Sequence, residues 1–214
     1  MIPILYDKTG NTKITNLTDC IQCIVTEERN GMFEAELVYS VHSSNSDKLI
    51  RGNIIVADAN DTLKGQKFRI YKISKPINGR IKILARHISF DMARDVVTGL
   101  VIDNQSCEYA LNKLFSSSQF SQRFIGHSDI VNSQSTVING TTHILKAIVG
   151  VEGSIIDTFG TSPEILRNNY DFYIYENRGH DNGVTIEYGK NLTGLNLDTD
   201  DSNMITRIRA VAKY

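Results

Sequence analysis

The feature that most constrains this chain is a hydrophobic period of two, repeated between turn signals through about its first hundred residues. In 32–41 (MFEAELVYSV), Phe33, Ala35, Leu37 and Tyr39 alternate with Glu34, Glu36 and Val38. Successive side chains of a strand point to opposite faces, so the first set predicts a core face and the second an outward one. A companion run, 20–28 (CIQCIVTEE), precedes it across Asn30-Gly31. Asn-Gly between extended runs predicts a type I′ hairpin, because both central residues must take positive φ. The device recurs where 67–75 (KFRIYKISK) and 80–86 (RIKILAR) flank Asn78-Gly79. The apolar run 53–58 (NIIVAD) predicts a short strand between the two hairpins, and 42–48 (HSSNSDK) an exposed loop. Short strands with closely spaced turns predict an antiparallel barrel or sandwich.

After residue 88 the period changes. Segment 88–97 (ISFDMARDVV) predicts a helical turn or an irregular link. Segment 106–116 (SCEYALNKLFS) predicts a helix capped by Ser106, with Glu108 near its positive end and Ala110, Leu111, Leu114 and Phe115 on one face. Asn139-Gly140 is expected to close the strand-like stretch 130–141. A second helical unit is expected over 143–159, with caps at Thr142 and Ser154. Strand patterns return at 164–168, 170–176, 184–188 and 204–214. The expected class is mainly β, α+β: an antiparallel β-barrel or sandwich at 1–98, a small helical or mixed insertion at 99–160, and a β-hairpin segment at 161–214. The sequence ends inside a strand-like stretch, which predicts that the natural protein continues and that this piece alone is a monomer or weak oligomer.

Charge narrows the function classes. The 214 residues carry 23 basic and 24 acidic side chains, a net charge of −1. No positive excess is available to displace counterions from a phosphate backbone, so sequence-specific nucleic-acid recognition is not expected. The opening MIPILYDKTG lacks a basic n-region and its apolar run is short, so no signal peptide is expected. No apolar run approaches the roughly 20 residues of a membrane span, and no membrane insertion is expected.

Candidate chemistry is sparse. Cys20 and Cys23 form a CxxC, with Cys107 far away. A structural zinc site needs four ligands and no second cluster follows, while a redox CxxC opens a helix and this one reads as strand. The thiols are therefore expected to be packing groups. His42, His87, His127, His143 and His180 are scattered. His127-Ser128-Asp129 invites an acid–base reading, but such adjacent residues are commonly turn formers. Asp198, Asp200 and Asp201 form an acidic run without the central glycine and twelfth-position glutamate of a calcium loop. Asn139 heads a formal glycosylation sequon. Tyr170, Phe172, Tyr173 and Tyr175 invite a stacking platform for sugar or nucleic acid, against the simpler expectation of half core and half interface. No catalytic, cofactor-binding or metal-binding residue is assigned, and no cofactor is expected.

Longer strings carry a resemblance. EERNGMFEAELVYS (27–40), FRIYKI (68–73), ARHISFDMARDVV (85–97), VEGSIIDTFG (151–160), HDNGVTIEYGKNLTGLN (180–196) and TRIRA (206–210) occur in an order similar to the N-terminal region of phage minor structural proteins. These are the prophage endopeptidase tail, or tail-associated lysin, proteins, which resemble baseplate hubs. The best-marked block runs from Asp181 to Leu195. Thr161-Ser162-Pro163 stands where relatives often carry paired glycines. The resemblance implies two related tube domains with an inserted α/β portion: a tube-type β-barrel at 1–98, and at 161–214 the opening of a second, truncated tube-like domain. It also implies a homotrimeric ring at a virion tail tip, made in the bacterial cytoplasm. Its neighbours would be a distal tail protein and the tape-measure protein, and DNA would pass through it during host attachment. Peptidoglycan cleavage, where relatives have it, would lie in a C-terminal region absent here, so the chain itself is expected not to be an enzyme. Two other readings compete: a module binding host cell-wall carbohydrate, and a cell-wall peptidase.

Overall fold

Strand order decides the shape of the first β unit. The structure, a computed structural model, describes residues 1–74, 78–160, 163–179 and 182–195. Seven strands, β1 (Ile4–Tyr6), β2 (Lys13–Asn16), β3 (Cys20–Glu27), β4 (Phe33–Ser40), β5 (Ile54–Ala57), β6 (Gln66–Ile73) and β7 (Arg80–His87), form an antiparallel sheet in the order β2-β1-β5-β6-β7-β4-β3. β2 and β3 are consecutive in the chain yet occupy opposite edges. The link between them is Leu17–Asp19, tightened by the Cys20 N–H donating to the Leu17 carbonyl at 3.1 Å. So short a link reaches no more than about 14 Å, and the sheet must roll until its edges approach. It rolls around Leu5, Leu37, Phe33, Phe68 and Ile83, all without solvent exposure. β2 and β3 do not pair, so the expected barrel is a rolled sheet with one unpaired seam. The mainly-β, α+β class stands.

The turns differ from one another for local reasons. Asn78 and Gly79 both take positive φ (51° and 71°), the geometry expected of an Asn-Gly turn. At the first hairpin only Asn30 does (φ 56°), and residues 28–32 make a wider loop in which Glu28 N–H donates to the Met32 carbonyl at 2.7 Å. The expected two-residue turn is absent there because the Asn30 side chain is engaged with another element, described below.

The second layer contains β8 (Val96–Ser106), α1 (Cys107–Ser116), β9 (Ile125–Ser128), β10 (Ser133–His143), α2 (Ile144–Ile148), α3 (Ile155–Phe159), β11 (Glu164–Asn168) and β12 (Asp171–Tyr175). β8 and β10 pair as an antiparallel ribbon, while β11, β12 and β9 form a mixed sheet with β12 and β9 parallel. The Ser106 hydroxyl caps α1, accepting the Tyr109 N–H at 3.2 Å. α2 is capped differently from expectation: His143, not Thr142, is its N-cap, and the Ile144 N–H donates to the Asp95 carbonyl at 3.0 Å. Ser154 caps α3 as expected. Asn139-Gly140 does not end a strand. It forms an irregularity inside β10, opposite Gly99 of β8, and both glycines take positive φ.

One core joins the layers. Leu111, Phe115, Phe124, Phe172 and Ile174 pack with Ile54 and Val56, whose neighbours Ile55 and Ala57 face the rolled interior. β5 is thus buried on both faces, which explains a continuous apolar run in place of alternation. Met1–Arg178 forms one compact unit and Gly179–Tyr214 another. In the latter, the strand expected at 184–188 has no ladder partner among the described residues; Asn191 Oδ1 accepts the Glu187 N–H at 2.7 Å in a local turn. The expected final strand 204–214 lies outside the described residues. No helix among the described residues is long and apolar enough to cross a membrane.

Candidate functional site

The seam places two strand edges at the surface. β3 exposes Ile21 and Ile24, and β2 exposes Ile14. Neither outer edge has a strand partner among the described residues. Free edges are templates for pairing, and charge, proline or a bulge usually blunts them. β3 carries a bulge between Cys20 and Gln22 and one charge, Glu27, at its far end. That bulge restores Cys20 and Cys23 to the same, inward side, where both pack against the rolled core. Burial pushes the Cys23 thiol up to about 11, so it stays protonated near neutral pH. Cys107, on α1, is pushed up to about 11 for the same reason.

A second cluster, unforeseen from sequence, fastens the β11–β12 hairpin to the rolled sheet. Asn30 Nδ2 donates to the Pro163 carbonyl at 2.9 Å and Asn30 Oδ1 accepts the Ile165 N–H at 2.7 Å. Arg178 Nη1 donates to Glu27 Oε1 and to the Ile165 carbonyl, both at 2.9 Å, and Arg29 pairs with Glu164. On the other side Gln66 Nε2 donates to Asn168 Oδ1 at 2.7 Å, while Gln66 Oε1 accepts the Asn169 N–H at 2.9 Å. Asn169 stands at the hairpin turn with φ 54°. The only sequence trace of this joint is a set of asparagines at turns, and turns alone explain them.

The candidate residues disperse. His87 is fully buried, stacked on Phe33 at 4.5 Å, and desolvation pushes it down to about 3. His143 is the N-cap of α2, and His42 lies in the turn after β4. His180, Asp198, Asp200 and Asp201 lie outside the described residues. The His127-Ser128-Asp129 string is divided among three jobs. His127 Nε2 lies 3.1 Å from Asp171 Oδ1, the Ser128 hydroxyl donates to the Ile174 carbonyl at 2.8 Å, and Asp129 Oδ1 accepts the Glu176 N–H at 2.8 Å. All three tie β9 and the segment after it to β12.

Phe172 and Ile174 face the core, while His127, Tyr173 and Tyr175 form a half-exposed row on the other face. Their rings stack on one another, with centroids 4.5 Å and 5.5 Å apart. The interior faces of the row are spent on each other, so its outward side presents ring edges and hydroxyls. A sugar seeking a flat aromatic face meets one only at the ends of the stack.

Asp95 is the most buried carboxylate among the described residues. It is 3% exposed, and Oδ2 accepts the N–H groups of Phe120 and Ser121 at 2.9 and 2.7 Å while Oδ1 accepts that of Val96 at 3.0 Å. Burial alone would raise its carboxyl, but these donors outweigh it and hold the group below the ordinary value. Its stabilisation is therefore present above the unfolded carboxylate value and lost as pH falls through the lower folded value. Asp95→Ala is expected to cost about 1–3 kcal/mol, because donors are left unpaired in the interior. Chemical denaturation checks it, and a loss within error of zero would sink the assignment.

No protein-family model matches the chain, and no curated protein matches it. The fold is similar to that of a solved structure, the prophage tail protein gp18 from Listeria monocytogenes EGD-e, with a TM-score of 0.59 and 16% identity over 82% of this chain. The match covers 50% of that protein, so the chain spans about half its length. At this identity the likeness is one of fold.

Proposed function

We propose that the chain is a non-enzymatic structural part of a phage or prophage tail tip, the N-terminal region of a hub-like, tail-associated protein. The observation that carries this reading is the rolled sheet with an unpaired seam, in a fold like that of a prophage tail protein. Exposed edges charged only at their ends, by Lys13 on β2 and Glu27 on β3, are a liability in a free monomer and an asset in a ring. Head-to-tail contacts that close on themselves bury each edge against the next copy without leading to open fibres. In the assembled virion the ring is a homotrimer, seated against the distal tail protein, with a lumen through which tape-measure protein and DNA pass. The near-neutral net charge suits such a conduit, since a strongly basic wall would retain DNA.

Light scattering tests this at two lengths. The present chain is expected to be a monomer or weak oligomer at modest concentration. A longer chain that completes the second β unit is expected to trimerise and to capture the distal tail protein. Ile24→Lys, on the exposed side of β3, should leave folding intact and abolish that trimer. Trimers unaffected by charge on β3 would remove the seam from the assembly. Glycan-array binding by the isolated chain would instead favour the host cell-wall carbohydrate reading, and clearing of cell walls in zymography would favour the peptidase.

A further inference from the structure

We propose that the cleft between the outer side of β6–β7 and the 88–94 turn is a binding site for a phosphate group. Its walls include Arg69, Tyr71, Arg86, Phe90, Asp91 and Arg94, around a cavity of about 110 Å³. That is well below the roughly 300 Å³ at which pockets for drug-sized ligands begin, so the cleft admits a single small group.

The charge count there is lopsided in a chain whose total is near zero. Arg69, Arg86 and Arg94 line the cleft. Arg123 Nη2 approaches Asp91 at 3.6 Å, and Arg167 lies behind Phe90 with its guanidinium carbon 5.1 Å from the ring centre. Against these five guanidiniums stand three carboxylates: Asp91, Glu34 and, on the Arg167 side, Glu27. Arg69 is fully used: Nε and Nη2 grip Asp91 at 2.8–3.0 Å and Nη1 donates to the Lys8 and Gly52 carbonyls at 2.8 Å. Arg86 gives Nε to Glu34 at 2.7 Å, lies over the Tyr71 ring at 4.5 Å and also interacts with the Tyr71 hydroxyl, yet its side chain is half exposed toward the cleft. Arg94 is exposed at the mouth and makes no hydrogen bond, ion pair or ring contact among the described residues. Arg167 is 5% exposed, and its Nε has no partner. Glu27 offsets its charge only in part, since burial still pulls the guanidinium down to about 10.

Excess cation repels metal ions. Guanidinium forks match the paired oxygens of a phosphate, and charge-assisted bonds of that kind are among the strongest available to a side chain. Asp91 does not spoil the site, because Arg69 and Arg123 already compensate it. The whole head of Arg94 remains for the ligand, with the exposed side of Arg86 beside it.

The test is calorimetric titration of the 214-residue chain with inorganic phosphate and, separately, dimethyl phosphate, alongside thermal unfolding in chloride of matched ionic strength. Saturable binding is expected, with a rise in Tm that chloride does not reproduce. Arg94→Gln should leave the ligand-free Tm nearly unchanged, since that exposed side chain makes no hydrogen bond or ion pair among the described residues, and weaken binding about ten-fold or more. Arg86→Gln serves as a second variant, expected to weaken binding similarly. Comparable binding of the diester points to a phosphate carried on a polymer, and preference for inorganic phosphate to a free ion; either supports the site. An equal Tm rise in chloride, no binding of either probe, or an Arg94→Gln affinity equal to the parent's overturns it.

Discussion

Between about pH 7.5 and about pH 5.5, His87 is expected to remove roughly 1.4 kcal/mol from the free energy of unfolding, with about as much again over the next pH unit. In the unfolded chain the imidazole takes a proton near its ordinary value of about 6.5. In the folded chain desolvation holds it at about 3. Throughout that interval the unfolded state binds more protons than the folded one, so stability is full above about pH 6.5 and declines as pH falls toward about 3. The cause is the packing. His87 has no solvent exposure and lies against Phe33 and Phe68, with ring centres 4.5 and 5.7 Å away, while buried Arg167 adds like-charge repulsion. Nδ1 accepts the Ser89 N–H at 3.3 Å, which leaves the proton on Nε2, 3.3 Å from Gln66 Oε1. Urea midpoints at the two pH values measure the slope. His87→Gln should be less stable at pH 7.5 yet much flatter with pH, because carboxylates are ionised across the window. Equal slopes in parent and variant would place the sensitivity elsewhere.

His87 also shows what the sequence conceals. Its strand was legible: Ile81, Ile83 and Ala85 continue at period two into position 87, and the alternation that buries them buries the histidine. What alternation cannot supply is the identity of the neighbours. Gln66 meets His87 from 21 residues away, and Asn168 and Asn169 bond Gln66 in turn from more than 100, and single residues at those distances leave no local trace. The same division runs through the fold. β3, β4, β6 and β7 were readable because each has one wet face. β5 gave a plain apolar run because it has none. β8 went unread because Gly99 and the opposing Asn139-Gly140 shift the register partway along, so its buried residues Val97, Leu100 and Ile102 never fall into a simple period. The seam was unreadable for another reason: strand order is a property of pairing, and only the shortness of Leu17–Asp19 hints that β2 and β3 lie near one another. The arginine cleft draws its members from β6, β7, the 88–94 turn and β11, none of which looks basic by itself.

Gly126→Ala is expected to cost about 3 kcal/mol or more, a large loss for adding one methyl group. The backbone does not require glycine here, since φ at Gly126 lies outside the left-handed region. Space does. A Cβ at position 126 would stand 2.5 Å from Leu111 Cβ and 3.2 Å from Leu111 Cδ1. β9 lies directly beneath α1, and Asn112 bonds both polar groups of Gly126. Its Nδ2 donates to the Gly126 carbonyl at 2.8 Å, and its Oδ1 accepts the Gly126 N–H at 2.9 Å. The amide thus occupies the free edge of β9 in place of another strand. Pushing the helix away to admit a methyl would break both bonds and open the core around Leu111, Leu114 and Phe115. Because the atom met first is Leu111's own Cβ, Leu111→Ala should not rescue the variant; its cavity penalty should add to the clash. Gly179→Ala is the control, since a Cβ there meets nothing within 4 Å and needs no positive φ. It should be neutral or slightly stabilising through the unfolded chain. Denaturant unfolding of the three variants decides the matter. A Gly126→Ala protein as stable as Gly179→Ala would mean that α1 and β9 are not packed in this way.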